Sequence, residues 1–165
     1  MIEKEEDYYS DIMQKFNELF KLRGCDTHFE ITANKKFSNK LQSKIPDYRH
    51  IIFYFLKDVA PDITGLVLRG NFADFVIIEV KNEEIKLDHV YQLRKYAELF
   101  EAKFAFLVST EEIPEAMKRL AKVVYPLLSS PSAYQCRTLA YFDKQTKSVK
   151  DWYPENPFEK DYLWR

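Results

Sequence analysis

Two acidic residues and one lysine, Asp62, Glu79 and Lys81, occupy positions that a β-hairpin would bring together. The Gly70-Asn71 pair between them suits a two-residue turn, with glycine at the position that needs a positive φ angle. With that turn, Asp62 and Glu79 lie directly opposite each other, and their Cβ atoms are about 4.5–5.5 Å apart. Lys81 falls on the same face because side chains alternate along a strand. The spacing therefore predicts two carboxylates and one ammonium group at one end of a hairpin.

This combination of groups suits the hydrolysis of a phosphate ester with a divalent metal ion. Mg²⁺ prefers oxygen ligands and is commonly held by one or two carboxylates together with water and substrate phosphate. A bound ion polarises a phosphoryl oxygen and lowers the pKa of bound water, while the lysine could position that water or stabilise negative charge. The alternative interpretation is an ordinary surface salt-bridge ladder. The neighbouring positions on that face, Leu66, Phe75 and Ile77, are apolar, so the charges border a core.

The same residues resemble a known motif. Pro61-Asp62 followed, after a hairpin, by Glu79-Val80-Lys81 is similar to the motif of the PD-(D/E)XK nuclease superfamily, the fold of restriction endonucleases and archaeal Holliday-junction resolvases. Eleven residues after this lysine, Gln92 and Tyr96 resemble the QxxxY motif of the RecB-like branch. The resemblance covers residues 61–109, and the flanking segments agree with it only in the order of their elements.

The resemblance implies a role for each matching residue. Asp62, Glu79 and the main-chain carbonyl of Val80 would hold Mg²⁺ or Mn²⁺. Lys81 would be the catalytic lysine and would assist the attacking water. The three side chains together would form the catalytic group of a metal-dependent deoxyribonuclease.

Residues on two helices extend this implied site. Gln92 and Tyr96 are one helical turn apart, so they share a face and would border the site and contact nucleic acid. The family often supplies another acidic residue from its first helix, and Glu5 is the better candidate because Glu18 points away from the apolar stripe. His89 shares the face of Gln92, where we expect a solvated histidine.

Periodicity and turn residues predict the elements that position the site. Apolar residues at helical spacing predict helices over 4–23, ended by Gly24, and over 88–102, capped by Asp88. Residues 47–59 are ambiguous: Asp47 could cap a helix with Ile52, Phe55, Leu56 and Val59 inward, but 51–55 is also rich in strand-forming residues, and we favour the helix. Another helix is expected from Ser109 or Thr110 to about residue 125. Runs of strand-forming residues predict strands over 27–33, 62–68, 73–81, 104–108, 136–142 and 148–153.

This order of elements predicts a single α/β domain over residues 1–165. Its mixed central sheet would be flanked by helices and extended by a C-terminal hairpin, with an irregular tail over 154–165. The resemblance implies, more specifically, the restriction-endonuclease-like three-layer core.

Composition limits the classes of function. The longest apolar run is six residues, far below the about 18–20 of a membrane span, and the N-terminus is acidic, so we expect a soluble, cytoplasmic protein. The formal net charge is −1, so a polyanion would have to be held by a local basic patch. Five basic residues against one acidic residue give +4 between residues 34 and 50, and the lysines of this cluster are Lys35, Lys36, Lys40 and Lys44.

Three functions follow from these observations. The leading hypothesis is an Mg²⁺- or Mn²⁺-dependent nuclease that cuts DNA, and the second is a nucleic-acid-binding module with weak catalysis on the same fold. The third is a scaffold for a protein partner or a homodimer, suggested by aromatic residues near the C-terminus: Trp152, Tyr153, Phe158, Tyr162 and Trp164.

Overall fold

A six-stranded mixed sheet forms the centre of the protein in the computed structural model, which describes residues 2–164. The strands lie in sequence order, with β4 parallel to both its neighbours and every other pair antiparallel. Their bounds are β1 Asp26–Ile31, β2 Ile63–Arg69, β3 Phe72–Lys81, β4 Phe104–Ser109, β5 Cys136–Asp143 and β6 Ser148–Tyr153. The predicted α/β class with a mixed sheet is confirmed. The two end residues of the predicted 1–165 domain lie outside the described residues.

Helices cover both faces of the sheet. The α-helices are α1 Tyr9–Leu22, α2 Asn39–Gln42, α3 Ile52–Phe55, α4 Leu87–Phe100 and α5 Glu115–Val123. Short 3-10 turns occur at Glu5–Tyr8, Asp47–Arg49, Tyr125–Leu127, Pro157–Glu159 and Asp161–Trp164. Helix α1 packs on one face, and the other four pack on the opposite face. None of the helices within residues 2–164 is long and apolar enough to cross a bilayer.

Burial on both faces explains the nearly continuous apolar sequence of the central strands. On β3, Phe75 and Ile77 belong to the core beneath α4, while Val76 and Ile78 belong to the core beneath α1. Because successive side chains point to opposite faces, Glu79 continues the row of Phe75 and Ile77 toward α4. The Glu79 carboxylate thus lies at the end of a buried row.

The predicted hairpin register is confirmed. Leu66 pairs with Phe75 and Leu68 with Ala73, as a turn centred on Gly70-Asn71 requires, and Gly70 has a φ of 58°. A second glycine has a packing role: Gly65 lies opposite Phe29 on β1, and a Cβ added there would overlap the Phe29 ring.

The predicted helix starts are wrong in three places. The N-cap of α4 is Lys86 rather than Asp88, and Asp47 begins a 3-10 turn without accepting a capping hydrogen bond. Ser109 remains in β4, where it pairs with neighbouring strands on both sides, so α5 begins only after Pro114. Ser109 does not begin the helix because its backbone is held in the sheet by both neighbouring strands.

The predicted helix over 47–59 is largely absent. The segment forms only a 3-10 turn and the four-residue α3, and Ile52 and Leu56 are buried as expected. Phe55 and Val59, which were expected to face inward, are 62% and 42% exposed. A continuous amphipathic helix would have buried all four side chains on one stripe.

The C-terminal hairpin is confirmed, since β5 and β6 pair antiparallel. The tail after it forms two short 3-10 turns and packs on the protein's own core, with the ring centroids of Phe20 and Phe158 5.0 Å apart. The Trp164 ring lies 5.6 Å from Phe20, and Trp152 packs 6.0 Å from Phe16. Most of the aromatic surface that suggested a partner-binding tail is therefore covered.

Candidate functional site

The two predicted carboxylates meet at the open end of the β2–β3 hairpin. Asp62 lies immediately before β2, and its main-chain N–H donates to Glu79 Oε1 at 3.0 Å. In return, the N–H of Val80 donates to Asp62 Oδ2 at 2.8 Å. Because the N–H and C=O of one residue in an antiparallel strand point to the same side, the Val80 carbonyl is also directed toward Asp62. The structure thus brings together the three residues predicted as metal ligands.

Two residues that the sequence did not single out hold Asp62 in place. The hydroxyl of Tyr9, on α1, donates to Asp62 Oδ1 at 2.9 Å. The main-chain N–H of Thr32 donates to the Asp62 carbonyl at 2.8 Å, and its hydroxyl donates to the Pro61 carbonyl at 2.6 Å. The sequence pattern placed Tyr9 only within the predicted helix over 4–23. Its hydrogen bond joins residues 53 positions apart, so no pattern among neighbouring residues could have predicted it.

Burial makes the carboxylate pair electrostatically costly. Glu79 is 1% exposed, and burial, together with the neighbouring Asp62 charge, raises its pKa well above the ordinary range. Burial also raises the pKa of Asp62, against the opposing effects of the Val80 N–H, the Tyr9 hydroxyl and the Lys81 ammonium. A divalent cation between the two groups would offset this repulsion.

Lys81 lies beside the pair, and its side chain is 14% exposed. Its Nζ is 3.9 Å from Oε1 of Glu5, the acidic residue predicted to approach from the N-terminal segment. Burial raises the pKa of Glu5, while the charge of Lys81 opposes the shift. Glu5 therefore borders the site from the 3-10 turn that precedes α1.

The loop after β3 is anchored on the end of β4. The Thr110 hydroxyl donates to Asn82 Oδ1 at 2.6 Å, and the Ser109 hydroxyl donates to the Glu83 carbonyl at 2.6 Å. His89 was expected to be solvated, but its side chain is 12% exposed and its Nε2 lies 3.0 Å from Glu83 Oε1. Burial, followed by the charge of Lys81, lowers the pKa of His89. The prediction that His89 is solvated was wrong, because the loop that contains Glu83 covers the imidazole ring.

Gln92 and Tyr96 differ in access to solvent, although they share one side of α4. Tyr96 is fully buried, and burial with the nearby Glu79 charge raises its pKa to about 12. Within residues 2–164, its hydroxyl makes no hydrogen bond of normal geometry, and the polar side chain beside it is that of Gln92. Tyr96 thus has no surface for contacting nucleic acid, whereas the half-buried Gln92 does.

The donor set at this site is small. In the described part of the chain, no group of three or more His, Cys, Asp or Glu side chains is placed to hold a metal ion. Two carboxylates with a main-chain carbonyl still fit Mg²⁺, which keeps several waters as ligands. Asp74 is not a substitute ligand, because it pairs with Arg69 at 2.6 Å and lies 3.9 Å from Lys103.

The charges around the site are uneven. On one flank, a cleft of about 870 Å³ is bordered by five glutamates, Glu83, Glu84, Glu111, Glu112 and Glu115. On the other flank, the N–H of Lys35 donates to the carbonyl of Thr32, and the N–H of Thr32 in turn donates to the carbonyl of Asp62. The basic segment over 34–50 begins beside the site but ends away from it. Its last basic residue, Arg49, donates to the Leu99 carbonyl at the C-terminal end of α4.

Comparisons of this chain with protein-family models, curated proteins and solved structures found no match.

Proposed function

We propose that this protein is a metal-dependent nuclease that hydrolyses phosphodiester bonds in DNA. The observation that carries the proposal is the pair formed by the partly buried Asp62 and the buried Glu79, with Lys81 on the same side. A folded protein rarely retains a buried carboxylate beside a second carboxylate unless something neutralises them or they perform chemistry. A divalent cation bound to phosphate would do both.

In this proposal each residue of the site has a separate role. Asp62, Glu79 and the Val80 carbonyl would hold Mg²⁺ or Mn²⁺. The metal, when bound, supplies a Lewis acid and a water of lowered pKa. Tyr9 and Thr32 keep Asp62 in its orientation. The Lys81 ammonium positions the attacking water and stabilises the negative charge that develops on the phosphate.

The arrangement of layers supports the restriction-endonuclease-like fold. Helix α1 covers one face, an antiparallel β1–β2–β3 meander supplies the carboxylates, and α4 crosses the other face to reach β4 parallel to β3. The meander and crossover place the carboxylate end of β3 beside the start of α4. Gln92 on α4 can therefore border the same site.

The charge distribution indicates from which side DNA approaches. Phosphates would be repelled by the glutamate-lined cleft beside Glu83 and attracted to the flank that begins at Lys35. We expect the backbone of the substrate to lie over the lysine flank and the adjoining side of α4.

A cleavage panel tests the proposal. Duplex DNA, single-stranded DNA, a four-way junction and RNA are incubated with Mg²⁺, with Mn²⁺ and with EDTA. We expect cleavage of a DNA substrate that requires metal and falls at least about 10²-fold in Glu79→Ala and in Lys81→Ala. Glu18→Ala, which changes an exposed glutamate on α1, is the matched control. Wild-type rates in Glu79→Ala or Lys81→Ala would contradict the proposal.

One observation favours the second candidate, a nucleic-acid-binding module with weak catalysis. Both carboxylate oxygens of Asp62 already accept hydrogen bonds from the protein, so the pair is partly satisfied without an ion. This candidate predicts that the panel substrates bind but are not cut with either metal.

A further inference from the structure

A groove of about 530 Å³ runs between the α3 region and the outer side of α4. Two tyrosines line it, Tyr48 at 83% and Tyr91 at 49% exposure. Exposed aromatic rings grouped in this way are typical of binding surfaces.

The groove is also basic. Arg49, Arg94 and Lys95 line it. Arg49 forms an ion pair with Glu101, and Arg94 lies 3.8 Å from Glu98, so three cations stand against two carboxylates. The Arg94 guanidinium lies 5.6 Å from the centre of the Tyr91 ring, so a positive charge and an aromatic face lie next to each other in the groove. Such a mixture suits an anionic ligand that also presents flat faces.

Helix α4 connects this groove to the candidate catalytic site. Lys95 lies three residues after Gln92, which corresponds to about 4.5 Å along the helix axis and a turn of about 60° around it. Lys95 Nζ lies 4.9 Å from the centre of the ring of Tyr96, which packs beside Glu79. Tyr91 is about 100° from Gln92 in the same direction around the helix, so a chain that crosses α4 at Gln92 passes between Lys95 and Tyr91 toward the groove.

We propose that this groove binds an unpaired strand of nucleic acid, with bases stacked on Tyr48 and Tyr91 and phosphates against Lys95 and Arg94. An unpaired strand fits better than a duplex, because a duplex keeps its base faces stacked inside. It fits better than an apolar protein helix because three cations line the groove and exceed the two carboxylates, Glu98 and Glu101, that pair with them. The role of this strand as part of the cleaved substrate rests on the proposed nuclease function, whereas its binding does not.

Fluorescence anisotropy in EDTA tests the proposal, because metal-dependent cleavage cannot then occur. The probe is fluorescein-labelled oligo(dT) of about 12 nucleotides, within the range that one small domain contacts. We expect Tyr48→Ala and Tyr91→Ala each to raise Kd at least about fivefold, the lower end for losing one stacked base. Tyr91→Phe keeps the ring and should bind like wild type. Tyr125→Ala, a 79% exposed tyrosine outside the groove, should also leave Kd unchanged.

An oligonucleotide with abasic sites separates stacking from charge. It should bind wild type and Tyr91→Ala with the same weakened affinity, because no base remains to stack. Equal oligo(dT) affinity in wild type and both alanine variants would overturn the proposal, and so would tighter binding to a matched duplex. A wild-type protein that binds no oligonucleotide, or that self-associates through Tyr48 and Tyr91 on size-exclusion chromatography, would overturn it as well.

The same samples distinguish this proposal from the proposed function. Tyrosine-dependent binding of oligo(dT) with no cleavage in Mg²⁺ or Mn²⁺ would support the groove and contradict the nuclease. Cleavage with an affinity that is indifferent to Tyr48→Ala and Tyr91→Ala would support the nuclease and overturn the groove. Circular dichroism melts of each variant confirm that it is folded.

Discussion

The Glu79→Gln substitution removes a buried negative charge and keeps the shape of the side chain. The N–H of Asp62, which donates to Glu79 Oε1, can still donate to the amide oxygen of glutamine. Because burial and the Asp62 charge raise the pKa of Glu79 well above its ordinary 4.5, the ionised form is unfavourable in the metal-free fold. We expect metal-free Glu79→Gln to melt at a higher temperature than wild type at pH 8.

The sign of the pH dependence follows from proton linkage. A carboxyl with a raised folded pKa holds more protons in the folded state, so the free energy of unfolding falls as pH rises above the unfolded pKa. The ordinary pKa of Glu79 is 4.5, and the loss is complete only once the pH exceeds the raised folded value. The difference between variant and wild type should therefore be smallest at pH 4 and grow toward pH 8.

Metal should reverse the order of stability. A ligand at 100 times its Kd stabilises the folded state by about 2.7 kcal/mol. In a domain of this size each kcal/mol shifts Tm by about 2–4 °C, so saturating Mg²⁺ or Mn²⁺ should raise the wild-type Tm by about 5–11 °C. Glu79→Gln should lose most of this rise, because a neutral amide is a weaker ligand than a carboxylate for a hard cation.

Differential scanning fluorimetry from pH 4 to 8, in EDTA and with each metal, measures both effects. Glu18→Gln, which changes an exposed glutamate on α1, is the control and should behave as wild type throughout. A metal-free Glu79→Gln protein less stable than wild type at pH 8 would refute the argument about the buried charge. A wild-type Tm unmoved by both metals, or raised equally in Glu79→Gln, would refute the metal site.

Three further perturbations test the surroundings of the site. Tyr9→Phe removes the hydroxyl that donates to Asp62 Oδ1, and metal titration of Tm should show affinity lowered about 10-fold or more. Replacing Lys35 and Lys36 together by glutamine should weaken duplex binding and reduce the slope of log K against log salt by about 1.8. Gly65→Ala should lower the free energy of unfolding by about 1–3 kcal/mol in urea titrations, because the new methyl group overlaps the neighbouring strand's aromatic ring.

Each of these has a matched control. Tyr8→Phe, in which the lost hydroxyl bonds Glu3 rather than the site, should keep wild-type metal affinity, and an equal loss in both variants would count against Tyr9. Gln92→Ala releases no counterion, so it should weaken binding with little change in the salt slope. An unchanged slope in the double lysine variant would show that those lysines contact no phosphate. Adding Phe29→Leu should restore part of the stability lost in Gly65→Ala, and no recovery would contradict the overlap.

Local sequence signals determined the elements of the site. The Gly70-Asn71 turn and the period of two are properties of adjacent residues, so they predicted the hairpin register and the opposition of Asp62 and Glu79. The stripe of α4 and the buried strand β4 were likewise predictable, because a helix packed on one side shows an apolar stripe and a strand covered on both faces shows a continuous apolar run. The order of these elements predicted the α/β class.

Only the tertiary structure decided which groups stabilise and cover that site. Tyr9 reaches Asp62 across 53 residues, and the loop around Glu83 encloses His89, because separate elements pack onto the same sheet edge. Tyr96 is buried rather than exposed for the same reason, since α4 lies flat over the core. The predicted helix over 47–59 is wrong because only Ile52 and Leu56 of its apolar stripe pack in the core, while Phe55 and Val59 are exposed. Such outcomes depend on which surfaces pack together, and a linear pattern of side chains carries no information about that choice.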